Sequence, residues 1–286
     1  MRKTLAALAL SSIGLAACGA ATSTPATTAS GASLSSTCST TNIQKLLYKH
    51  GVLTVATDSP AYTPWFQDNK PSNGKGYESA VAYAVANELG FSKSQVTWTV
   101  EPFNNSYAPG PKKFDFDINE ISYTPARAKV VTFSTSYYDV NQALVALKTS
   151  PIVTKHTSAD LKTYVYGDQI GTTSLAFIES QLQPTQQPRV YNSLNDVKSA
   201  LSTNQIQALV ADTPTAQYIS FAQIKNSTVV GQFPGGGEYY GMLFQKGNVL
   251  AACVDNALTK LKSAGTLAAL QKQYLGIYTS IPTIKP

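Results

Sequence analysis

Histidine, methionine and tryptophan each occur only twice in this 286-residue chain, and cysteine three times. His50 and His156 are too few for a histidine-rich metal site, and neither stands in a catalytic context, so no metal and no catalytic residue is expected. Charged residues make up 13%, and the lysines are scattered. No basic block interleaves with aromatics, which argues against a nucleic-acid partner. After the opening residues no long apolar run recurs, and no repeat appears at a solenoid period. No charged residue falls between Lys3 and Lys45, and Leu34 is the only large aliphatic residue from Gly19 to Asn42. Such a stretch cannot bury enough apolar surface to offset its ordering entropy. Residues 18–42 are therefore expected to form a flexible tether, with the ordered body beginning near Ile43.

What is present begins at the N-terminus. Arg2 and Lys3, the apolar run from Leu5 to Leu10 and the small residues after it read as a secretory leader over residues 1–17. Leu15-Ala16-Ala17-Cys18-Gly19 is similar to the bacterial lipoprotein processing site. In such signals the cysteine becomes an acylated N-terminus, and several acyl chains hold a protein stably on a membrane surface. An ordinary leader with an incidental cysteine is the alternative. If Cys18 carries lipid, Cys38 and Cys253 remain in an oxidising compartment, either as a disulfide or as two free thiols. A bond between them would tie the start of the body to the C-terminal helical region and contribute roughly 5 kcal/mol at most. The formal charge of +6 loses two units with Arg2 and Lys3, which leaves a mildly basic body.

From Ile43 onward about 240 residues remain, enough for one large domain or two lobes. Strand-like and helix-like patterns alternate, which predicts an α/β architecture with largely parallel sheets. Strands are read from Val52 to Ala56, from Val96 to Val100 and from Phe114 to Ile118, with Val130 to Phe133 continuing the sheet. Glu78 to Leu89 has helical spacing, with Val81, Val85 and Leu89 on one stripe and Gly90 as terminator. Ala143 to Leu147 opens a second series, joined by Tyr164 to Tyr166, Ile206 to Val210 and Tyr239 to Phe244, with a helix from Ser174 to Leu182. Leu250, Val254, Leu258 and Leu261 mark an amphipathic helix ended by Gly265, and Thr266 is expected to cap a shorter one.

Certain segments carry more than pattern. Thr57-Asp58 precedes Tyr62-Thr63-Pro64-Trp65, and Gly76-Tyr77-Glu78 leads into the first long helix. The most specific block runs Phe114-Asp115-Phe116-Asp117-Ile118-Asn119-Glu120-Ile121-Ser122-Tyr123-Thr124-Pro125-Ala126-Arg127. Gly171-Thr172-Thr173-Ser174, Asp212-Thr213-Pro214 and Lys246-Gly247-Asn248 complete the set. In order and spacing, from Ile43 to Tyr278, these resemble the polar amino-acid-binding family of ABC-transporter solute-binding proteins, the bacterial extracellular solute-binding proteins of family 3. The resemblance implies an α/β, two-lobed periplasmic-binding-protein type II (Venus-flytrap) fold with two hinge crossovers, near Tyr138 to Asn141 and Gln232 to Tyr239. Lobe one would combine residues 43–137 with 240–286, and lobe two would be 138–239. It further implies a monomer on the outer face of the cell membrane that delivers a polar amino acid to ABC permease subunits, with no cofactor. Two departures stand out: Ala80 lies where the family often has a second acid after Glu78, and Glu120 lies where a small residue is common.

A zwitterionic ligand needs a fixed cation for its carboxylate and a carboxylate for its ammonium. Arg127 offers two parallel donors for the first role, its alternative being a surface arginine at a helix start. Asp212 suits the second, its alternative being a helix N-cap followed by proline. Thr173 and Ser174, at an expected strand-to-helix turn, would meet the carboxylate from lobe two unless they are ordinary caps. Ser122 and the main chain around Glu120 would complete these contacts. Asp58, Tyr62, Trp65 and Phe103 are the candidates for side-chain recognition, with Trp65 and Phe103 equally readable as core. Asp58 and Glu120 lean the ligand toward a basic amino acid, with glutamine close behind. Two other readings stand beside this one: a cleft enzyme of the cyclohexadienyl dehydratase type with Glu120 as acid-base group, and a sensor that binds an amino acid without transport.

Overall fold

A computed structural model describes residues 38–276 and 281–286; the expected leader, Cys18 and the tether up to residue 37 lie outside the described residues. A short strand buried along its whole length belongs in a sheet covered on both faces. β1 (Leu53–Thr57) is such a strand. It lies between β2 (Val96–Val100) and β3 (Phe116–Asp117) and is parallel to both. β4 (Val131–Leu147) is a single strand where the sequence suggests two. β5 (Gly167–Gln169) and β6 (Arg189–Tyr191) form a separate parallel pair. β7 (Ala208–Asp212) and β8 (Ser227–Gln245) complete a six-stranded sheet in the order β2-β1-β3-β8-β4-β7.

That sheet is mixed, not largely parallel as expected. β8 runs antiparallel to β3 and β4, and β4 antiparallel to β7. β4 leaves one half of the molecule and β8 returns beside it, so neighbouring crossing strands must point in opposite directions. Their pairing extends from Val131↔Gln245 to Leu147↔Ser227, with a register shift between Val140 and Gln142.

Each half has its own core. In the first, Val81 and Val85 of the Tyr77–Glu88 helix pack with Val55, Phe244, Val254 and Leu258. In the second, strand alternation sorts the side chains onto two faces. Leu144 and Ala146 of β4 join Ala208 and Val210 of β7 on one side. Ala143 and Val145 join Leu209 and Ala211 on the other.

Both ends of the described chain depart from expectation. The body begins before Ile43: Ser39 caps a helix, Thr40–Leu46, whose Ile43 is fully buried. Cys38 is bonded to Cys253 in the Leu250–Ser263 helix, which fixes the start of the described chain to the first core. Gly90 permits the approach of this N-terminal helix, since a Cβ there would lie 2.3 Å from Thr40 Oγ1. Residues 281–286 belong to the second half rather than to lobe one. Ile284 is buried in its core, Thr283 pairs with Gln232 of β8, and Lys285 N donates to His156 O at 2.8 Å. Gly231 makes room for Ile284, whose Cγ1 would lie 2.7 Å from a Cβ there.

Smaller corrections concern helices. The helix expected from Ser174 to Leu182 is a short α-helix, Thr173–Phe177, continued by a π-helical turn, Ile178–Leu182. Thr266 is the first residue of its helix, Thr266–Leu275, and caps nothing; the break is made by Gly265 at φ +73°.

Candidate functional site

Loops from both halves meet at a cavity beside the crossing strands. Nine of the ten candidate residues line it: Asp58, Tyr62, Phe103, Glu120, Ser122 and Arg127 from the first half, Thr173, Ser174 and Asp212 from the second. Trp65 does not. It is fully buried in the first core, edge-on to Tyr138 and Tyr240 with ring centroids 5.3 Å away. An aromatic so enclosed has no face left for a ligand.

Arg127 is not a surface residue. It is 8% exposed, in the short Pro125–Ala128 helix that Thr124 caps by accepting from Arg127 N. Its Nη1 donates to Ser122 O and its Nη2 to Gly171 O, each at 2.7 Å. The second bond joins the two lobes. The guanidinium lies 4.5 Å from the Tyr107 ring centroid and 5.5 Å from that of Phe103, within cation–π range of both. Among the described residues the one ion pair is Lys260–Glu88, so Arg127 has no carboxylate partner.

Asp212 sits at the N-cap position of the Thr213–Tyr218 helix, yet its side chain makes no capping bond. Its Oδ1 accepts from Gln142 Nε2 at 2.7 Å, and its Oδ2 accepts from the Tyr240 hydroxyl. Gln142, on β4, is itself held by Ser174, whose Oγ donates to Gln142 Oε1 at 2.7 Å. Burial and the neighbouring Glu238 push the Asp212 carboxyl up to about 8, against the pull of its hydrogen bonds and Arg127. Two hydrogen bonds leave lone pairs on the carboxylate for an ammonium.

Ser122 Oγ and Thr173 Oγ1 face each other across the cleft at 3.4 Å. Asp58 follows β1, its Oδ1 accepting from Ser59 N at 2.6 Å, and burial raises it above the ordinary carboxylate range. Tyr62 carries Lys198 of the other half over its ring, 4.8 Å from the centroid. Glu120 accepts from Thr215 Oγ1 at 2.8 Å, and its backbone N–H donates to Glu78 Oε1 at 2.7 Å. Glu78 also accepts from the Tyr137 hydroxyl.

Sequence reading missed Gln142, Asp168 and Thr215, of which Asp168 and Thr215 line the cavity. A glutamine in a strand or a threonine in a helix carries no local signal of such a role. With Asp168 included, four acids line a wall that holds one cation, Arg127.

The buried acids set a pH dependence. Burial raises Asp212 and Glu78 to about 8, Asp117 to about 7 and Asp115 to about 6. In an unfolded chain these groups titrate near about 4. The folded state thus holds protons that the unfolded state has lost, and stability falls as pH rises through the folded values. Scanning calorimetry of the ligand-free protein is expected to show the melting temperature dropping between pH 5 and pH 8, by about 2–4 °C per kcal/mol lost. A flat or rising profile would mean these carboxyls are ionised in the fold.

Two lobes with separate cores, joined by a pair of crossing strands around one polar cavity, define a solute-binding clamp. The chain matches the bacterial extracellular solute-binding proteins, family 3, over residues 53–277, and it belongs to that family. It is 26% identical over 228 residues to the ABC transporter arginine-binding protein 1 of Escherichia coli (strain K12), covering 76% of this chain and 88% of that one. A solved ancestral arginine-binding protein bound to glutamine is 26% identical, with a TM-score of 0.66 over 79% of this chain and 98% of the other. An ancestral amino-acid-binding protein described as a precursor of cyclohexadienyl dehydratase is 27% identical, with a TM-score of 0.66 over 82% and 98%. The fold is the two-lobed type II arrangement that the motifs implied.

Proposed function

We propose that this chain is the extracytoplasmic substrate-binding component of an ABC importer, taking a polar amino acid, basic or glutamine-like, between its lobes and delivering it to permease subunits. The observation that carries this reading is a buried guanidinium without a carboxylate partner, Arg127, sharing a cavity with a buried carboxylate of the opposite lobe, Asp212. Arg127, with the Ser122 and Thr173 hydroxyls, takes the α-carboxylate; Asp212 takes the α-ammonium. Asp58, Tyr62, Phe103 and Glu120 surround the ligand side chain. Closure follows from the ligand's greater affinity for the closed form, in which Arg127 and Ser122 reach Gly171 and Thr173 of the second lobe. The family relationship and an arginine-binding relative support the reading.

Lobe limits near residues 138 and 239, a leader over residues 1–17, lipid on Cys18 and a monomeric state complete the proposal. Among the described residues no helix is long and apolar enough to cross a membrane. A second reading, catalysis of the cyclohexadienyl dehydratase kind, is favoured by one observation, a carboxyl in the cleft, Glu120, that burial holds well above its ordinary range.

A thermal-shift screen of residues 38–286 against the twenty amino acids and a prephenate-type carboxylate tests both. Ligand that binds the folded state raises the melting temperature by mass action, by about 2.7 kcal/mol of stability at one hundred times Kd. A rise with one or a few polar amino acids is expected. No rise with any of them would end the amino-acid reading, and a response to the carboxylate alone would establish the enzymatic one.

A further inference from the structure

Glu120 has a backbone φ of +52°, in the left-handed region that side chains rarely enter and that a glycine would occupy freely. Held there, its N–H is fixed by Glu78, and its side chain enters the cleft. Non-glycine residues in such conformations cluster at ligand clamps. Oε2 accepts from Thr215 Oγ1 of the second lobe, and that same hydroxyl accepts from Trp65 Nε1 at 2.7 Å. One second-lobe hydroxyl is thus held between two first-lobe groups. Oε1 of Glu120 has no hydrogen bond among the described residues.

The immediate partners of Glu120 are acids and hydroxyls: among the described residues no cation lies within ion-pair distance of it, and the Arg127 guanidinium of the same cavity is engaged with Ser122 and Gly171. From the first lobe Glu120 faces Glu78, Asp58, Tyr62 and Tyr137; from the second, Asp212 and Thr215; from β8, Tyr240. The structure therefore supplies one free carboxyl oxygen in the cavity and leaves its countercharge to the ligand.

We propose that Glu120 is the specificity determinant of this cleft, accepting on its free oxygen the cationic head of a basic amino-acid side chain. The inference rests on the amino-acid-binding reading and adds the group that separates a cationic ligand from a neutral amide. Burial, and the nearby acids Glu78 and Asp212, hold the ligand-free Glu120 carboxyl well above its ordinary range, so it keeps its proton more readily than an ordinary carboxyl does. A cation placed against it favours the ionised form, and the carboxyl proton leaves to solvent as the ligand enters. An uncharged amide leaves the proton in place. Asp212 meets the α-ammonium of either ligand, so its own proton release is common to both and cancels in the comparison.

Isothermal titration of arginine and of glutamine at pH 7, each in phosphate and in Tris, measures affinity and proton release together. In the native protein arginine is expected to release more protons than glutamine. Glu120→Gln is expected to weaken arginine at least tenfold, change glutamine less than threefold and abolish the extra proton. Glu120→Gly, which suits the left-handed backbone, serves if the amide variant does not fold and is expected to discriminate in the same way. Thr215→Val removes the bridge but keeps the carboxyl, and is expected to weaken both ligands by a similar factor. Equal weakening of arginine and glutamine in Glu120→Gln, or no extra proton with arginine in the native protein, would overturn the assignment of Glu120 alone. A native protein that binds neither ligand would overturn the functional reading as well.

Discussion

Arg127→Ala is expected to weaken amino-acid binding by two orders of magnitude or more. Removing one partner of a buried, hydrogen-bonded charge pair costs about 2–5 kcal/mol, and each 1.4 kcal/mol is tenfold in affinity. The cost has two origins in this site. The ligand carboxylate loses its only cation on the cavity wall, and the carbonyls of Ser122 and Gly171 lose the donors that reach them at 2.7 Å. Because the Gly171 bond spans the lobes, closure loses a contact along with the ligand. Arg127→Lys keeps the charge without the planar fork and is expected to recover only part of the affinity. Titration calorimetry with the amino acid found by screening measures all three proteins. A loss below tenfold in Arg127→Ala would remove Arg127 from the carboxylate role.

The second large effect falls on stability. Trp65→Ala is expected to lower the unfolding free energy by about 3–5 kcal/mol, the usual result of deleting a large aromatic from a close-packed core. Trp65 is fully buried between Tyr77, Tyr138 and Tyr240, with centroids 5.3–6.0 Å apart in edge-on geometry. Denaturant unfolding reads the loss; a change below about 1 kcal/mol would mean the site collapses around the smaller residue. Trp65→Phe separates two contributions. It keeps most of the volume and gives up the indole N–H that reaches Thr215, so binding is expected to weaken more than stability.

Much of the frame was legible because the apolar spacing had a single solution. Val81, Val85 and Leu89 form one helical stripe and are all buried, and Gly90 at φ +86° ends the helix they define. The crossing strands were harder to read. Between Ser134 and Asn141, β4 spans the junction of two cores, and its buried residues, Ser134, Tyr137 and Val140, recur every third position rather than every second. Periodicity fades there, so one strand reads as two. The last residues, from Ile281 to Pro286, are too few for any period, and their place is set by a single plug, Ile284, and a strand pairing distant in sequence.

The cavity divides along the same line. Arg127 and Asp212 lie in distinctive local blocks, and both line the cavity. Thr215 owes its position to partners 95 and 150 residues away, Glu120 and Trp65, and Gln142 to Asp212, 70 residues on. Pairings of that range leave no trace in local sequence. Trp65 read equally as core or as ligand contact for the converse reason: its neighbourhood resembles a ligand loop, while its ring turns inward.

The disulfide and the buried Ile284 together have a geometric consequence. Cys38 fixes the beginning of the described chain to the first lobe through Cys253, and Ile284 fixes its end to the second. The two termini therefore ride on opposite jaws, and the span between them is a ruler for the opening of the cleft. Dyes attached at the ends of the folded body would report each capture of ligand as a change in energy transfer, with no label placed inside the cavity.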